Sequence, residues 1–72
     1  MNDKEYVESA KKKLDQLNES SCKPYTINEH LNGLCTLYYG VDIIAWMLKP
    51  REILQFVNTL CILNVLGGLK ND

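Results

Sequence analysis

The 72-residue chain has one histidine, two prolines, one tryptophan and one phenylalanine, and its three cysteines form no CxxC pair. Each scarcity removes a class of chemistry. His30 with scattered Cys22, Cys35 and Cys61 lacks the ligand spacing of a structural zinc site. His30 and Cys35 stand five residues apart, out of line on a helix, so a Cys-His nucleophile pair has no hydrogen-bond reach. The carboxylates show no paired arrangement in an apolar setting that would split acid and base roles. Gly67-Gly68 lies near the chain end with no helix after it, which argues against a phosphate cradle. No catalytic set, metal, cofactor or small-molecule substrate is therefore expected, and the chain reads as non-enzymatic.

Net charge is also small, at −1. A nearly neutral molecule exerts no strong field on nucleic acid. The basic run Lys11-Lys12-Lys13 is offset by Glu5, Glu8, Asp15 and Glu19 on the same expected helix, and reads as a solvated face. An odd number of dispersed cysteines, two of them in apolar runs where a thiol acts as a small hydrophobe, fits a reducing compartment. Met1 leads directly into Asn2-Asp3-Lys4-Glu5, unlike a secretory leader, so a cytoplasmic location is expected.

What the chain does have is concentrated apolar character. Of its 33 apolar residues, 23 lie between Leu34 and Leu69, a stretch holding only four of the 17 charges. Residues 34–48 carry one charge, Asp42, and residues 53–69 carry none; Lys49-Pro50-Arg51-Glu52 separates the two runs. One small domain has too little volume for its surface to hide such an excess easily. A second copy, a larger protein or a membrane is expected to cover part of it.

Periodicity suggests an all-α fold, a small bundle of three to four helices over about 4–18, 27–39, 43–48 and 50–66, in a single domain spanning residues 1–72. Val7, Ala10, Leu14 and Leu17 form one stripe flanked by Tyr6, and Asn2 or Asp3 caps the start. Lys23-Pro24 disfavours helix before the second element. Thr26-Ile27-Asn28-Glu29 reads as a capping box, followed by Ile27, Leu31, Leu34, Cys35 and Tyr38 at helical spacing. Gly40 would end that helix, or bend a longer one over 27–48, and Asp42 would cap a short third helix. Pro50 suits the first turn of a last helix that should stop at Gly67-Gly68. That helix is apolar over most of its circumference, broken by Gln55, Asn58, Thr59 and Asn64, which implies a central or partner-covered position.

The expected function is a self-associating protein–protein interaction module, a homodimer or larger. Tyr39, Trp46, Met47 and Phe56 are the candidate partner-binding residues, because aromatic side chains most often anchor interfaces. Its size and its Asn- and Lys-rich composition are common among phage or mobile-element regulators and inhibitors that dock sterically on a larger protein. One alternative is a dimeric DNA-binding transcriptional regulator. Leu37 to Asp42 faintly resembles a helix-turn-helix, but the following segment offers Ile43, Ile44, Ala45, Trp46 and Met47 where base-reading polar groups belong. Nucleic acid is thus an unfavoured partner. A second alternative, a membrane-associated helical hairpin, meets runs of 15 and 17 residues where a span needs about 20.

Overall fold

The computed structural model describes residues 2–70, with side chains from Asn2 to Leu66. The order of elements is helix α1 (Asp3–Asn18), strands β1 (Tyr25–Glu29), β2 (Cys35–Tyr39) and β3 (Asp42–Leu48), and helix α2 (Pro50–Lys70). The expected all-α bundle is therefore wrong. The chain is α+β, with a three-stranded antiparallel sheet in the order β1-β2-β3 between its two helices.

The outer elements follow from local signals. Asn2 Oδ1 accepts the Glu5 backbone N–H at 2.9 Å, and the stripe Val7, Ala10, Leu14 and Leu17 is buried. Asp3 and Glu5 place negative charge at the positive end of the α1 dipole. Pro50 is buried in the first turn of α2, and Glu52 Oε1 accepts the Lys49 N–H at 3.1 Å, one half of a capping box. The last helix does not stop at Gly67-Gly68 but continues to Lys70.

The middle of the chain is a meander where helices over 27–39 and 43–48 were expected. Thr26 and Glu29 make no capping box, because both lie in β1, and Glu29 instead pairs with Lys11 of α1 at 2.9 Å. Tyr25 and Ile27, then Cys35 and Leu37, alternate along their strands and turn toward the helices. The helical expectation also passes over Asn32-Gly33, a strong hairpin signal. Here the Gly33 N–H donates to the His30 carbonyl at 3.0 Å, the His30 N–H to the Leu34 carbonyl at 2.9 Å, and Gly33 has φ +85°. Gly40 ends no helix. It takes the first position of the two-residue Gly40-Val41 turn with φ +65°, as type II′ hairpins require. Asp42 opens β3 and caps nothing helical.

Both helices cover one face of the sheet. The core joins the α1 stripe to Cys35, Leu37 and Ala45 from the sheet and Ile53 and Val57 from α2. The helices run parallel: Asp3 and Tyr6 lie near Pro50, Lys13 Nζ donates to Asn58 Oδ1 at 2.6 Å, and Leu17 lies near Cys61 and Val65.

β3 departs twice from regular pairing. Leu37 opposes Ala45 while Tyr38 opposes Ile43, so Ile44 is an extra residue. Between the Leu37–Ala45 and Cys35–Leu48 pairs, Thr36 faces both Trp46 and Met47. Met47 takes φ +55°, a left-handed backbone that costs a side-chain-bearing residue about 1–2 kcal/mol. Thr36 offsets that strain. Its buried Oγ1 accepts the Met47 N–H at 3.3 Å and lies 2.7 Å from His30 Nε2. Thr36→Val keeps the shape and removes both bonds, so it should lower unfolding free energy by about 1–3 kcal/mol in urea titration. Thr36→Ser should lose less, since its hydroxyl is retained.

Candidate functional site

The four candidate residues do not share one surface. Tyr39 is half-buried at one end of the sheet, its ring centroid 4.7 Å from that of Tyr25 with the planes tilted by 39°. Lys23 Nζ stands 5.9 Å from the Tyr39 ring, and its side-chain methylenes fill the space a Cβ on Gly40 would need. Tyr39 thus closes the end of the sheet. Phe56 packs against the core from α2, and Met47 is half-buried beside Thr36. Trp46 alone stands free, with 71% of its surface exposed.

Around Trp46 lies the first of two exposed apolar zones. Ile43 and Ile44 precede it on β3, and Val41 tips the hairpin. Ile43 pairs with Tyr38, a position alternating with the inward Leu37, so both belong to the sheet face turned away from the helices. Sequence reasoning singled out Trp46 but missed Ile43 and Ile44 beside it in the chain, because a helical wheel distributes residues 41–46 around an axis that does not exist.

The second zone is the far half of α2. Residues on an α-helix turn by about 100° each, so Asn64 falls on the same arc as Ile53 and Val57. Ile53 and Val57 are fully buried, yet Asn64 is exposed. Ile62, Leu63, Val65 and Leu66 are exposed as well, whichever way their positions point. The core therefore ends near Cys61, and the helix runs on past it. The all-round apolar wheel was legible in the sequence; the point where the core stops was not.

The polar clusters are engaged within the fold. Lys11 is paired with Glu29 and Lys13 with Asn58, while Lys11 and Lys12 are both exposed. A cleft of about 470 Å³ lies where the two helices begin, between Asp3, Tyr6, Asn32, Lys49 and Arg51. The first arm of the helical hairpin considered for membranes is strands β2 and β3, and among the described residues no helix is long and apolar enough to cross a membrane. The chain matches no protein-family model, no curated protein and no solved structure.

The three cysteines are free and sit in graded environments: Cys22 exposed, Cys61 half-buried, Cys35 buried. Burial pushes the Cys35 thiol above its ordinary 9.0, helped by the Glu29 carboxylate and opposed by Lys11. Burial likewise raises the Tyr25 phenol above 10.0, with Tyr39 adding to the shift. Folding then favours the neutral forms, so their contribution to stability is complete below pH 9 and falls as pH rises through the folded values. Chemical denaturation across this range should show declining stability, and Cys35→Ala should remove the earlier part of the decline while leaving that of Tyr25. A native-state thiol titration at neutral pH should label Cys22 first and Cys35 only on unfolding.

Proposed function

We propose that this protein is a non-enzymatic interaction module of the cytoplasm that associates with itself and docks on a larger protein, acting by steric cover of that protein's surface. The observation that carries the reading is the exposure of large apolar side chains in two separate zones, one around Trp46 on the sheet and one on the far half of α2. Soluble monomers rarely leave apolar side chains exposed in such numbers without a partner for them. Two zones in different layers suit two different contacts. The zone on α2 serves self-association. Trp46, flanked by Ile43, supplies a large amphipathic anchor for the larger partner, since its indole buries much area at small entropic cost. The free cysteines support a reducing compartment.

Sedimentation equilibrium of the full chain, in reducing buffer without detergent, should return a mass above the 8.3 kDa of one copy. A mass of 8.3 kDa up to roughly 0.5 mM, where even sub-millimolar affinities register, would remove self-association from the reading. Trp46 fluorescence should report a solvated indole in the isolated protein, and a blue emission maximum there would remove the docking anchor.

A further inference from the structure

We propose that His30 is a proton switch on the open face of the sheet, whose protonation reverses the Thr36 hydrogen bond that holds Met47 and so resets the presentation of Trp46; this rests on the reading of Trp46 as a docking anchor. β3 has to fit two residues, Trp46 and Met47, between the inward Ala45 and Leu48, where regular alternation has room for one. The left-handed backbone of Met47 absorbs the extra residue, and its N–H is tied to Thr36 Oγ1. The direction in which Trp46 leaves the sheet is set by that bond.

Thr36 has a single hydroxyl proton to place. It is buried, and among the described residues its Oγ1 has two hydrogen-bond partners, the Met47 N–H and His30 Nε2. One arrangement satisfies all three groups. The Thr36 O–H donates to an unprotonated Nε2, Oγ1 accepts the Met47 N–H, and the Nδ1–H of the half-buried ring is left for water. An imidazolium carries hydrogen on both nitrogens, so Nε2 becomes a donor and Oγ1 must accept from it. The hydroxyl hydrogen then turns either toward the Met47 N–H, donor against donor, or into buried space with no acceptor, and both are costly. Met47 is the element that yields, because its backbone is already strained. Once its N–H is released, return to a negative φ is unopposed, and Trp46 turns with it.

The ionisable groups around His30 come from every neighbouring element. Asp3 and Lys4 of α1 and Glu29 of β1 line a pocket with it, and Glu29 is paired with Lys11. Lys49 and Arg51, at the start of α2, line the adjoining cleft with Asn32 and Gly33. β2 contributes Cys35, turned toward the helices, and Tyr38 on the open face, while β3 carries no charge between Asp42 and Lys49. A new ion pair with Asp3 or Glu29 is the competing response to the proton, and it would leave Met47 in place.

NMR of the isotope-labelled full chain from about pH 8 to 5, where imidazoles titrate, tests the switch. The Met47 amide and the Trp46 indole N–H should shift with the same midpoint as the His30 ring. Once the ring is protonated, the Met47 amide should exchange with solvent about tenfold faster than its intrinsic pH dependence gives, as loss of one hydrogen bond allows. Burial keeps the Cys35 thiol and the Tyr25 phenol neutral throughout this range. His30→Gln offers Thr36 a permanent acceptor and should leave Met47 and Trp46 unmoved by pH. Thr36→Val should leave His30 titrating with neither residue following, and Thr36→Ser should keep the coupling. A His30 ring that titrates while Met47 and Trp46 stay fixed overturns the switch and assigns the proton to an ion pair. A ring that does not titrate, or a response that persists in His30→Gln, overturns it too. These outcomes leave the docking reading standing, whereas a blue Trp46 emission maximum at neutral pH removes that reading and the regulatory role with it.

Discussion

Burial of Cys35, Thr36 and Leu37 in the central strand is the constraint on which every other element depends. Among the described residues β2 is the only strand with neighbours on both sides, and its inward residues lie beneath both helices. Leu37 is fully buried where Ile27 pairs on one side and Ala45 on the other. Without β2 the two outer strands have no backbone partners, and α1 and α2 lose the surface that sets them side by side. Thr36 extends the same role to the opposite face, because its hydroxyl holds the irregular part of β3 and meets His30 from the end of β1.

The sheet therefore has two free edges, and each is guarded differently. On β1, the Asn18 carboxamide accepts the Tyr25 N–H at 2.7 Å and donates to the Tyr25 carbonyl at 3.0 Å, standing in for the strand that is missing. On β3, two register shifts and the left-handed Met47 spoil the regular row of donors and acceptors that another strand would need. Edge-to-edge pairing is discouraged on both sides. The association proposed above would therefore use side-chain surfaces, the open sheet face and the far half of α2.

How much of this was legible in the sequence depends on which interactions were local. The α1 stripe and its Asn2 cap, and the start of α2 at Pro50, were readable because their signals lie within one turn of the helix they specify. Residues 25–48 were not, because a four-residue capping signal at Thr26 competes with pairing to β2, and the pairing wins through contacts six to fourteen residues away. Asn32-Gly33 and Gly40 were the usable clues, since a left-handed glycine closes a hairpin as readily as it ends a helix. Among the candidate site residues, Trp46 could be suspected from its apolar surroundings, but the burial of Tyr39 against Tyr25 and of Phe56 against the core requires the fold.

The mismatch in length between the layers explains why the apolar excess has to surface where it does. α1 and α2 start together and run in the same direction, so the shorter α1 ends beside Cys61 and Val65 while α2 continues to Lys70. A helix that meant to end at the core boundary would turn polar after Cys61. This one keeps Ile62, Leu63, Val65 and Leu66 beyond it, with Asn64 as the only polar residue among them. Those side chains lie mostly outside the core, and each costs free energy where it is left in water. The interaction reading proposed above would supply their cover from outside the molecule.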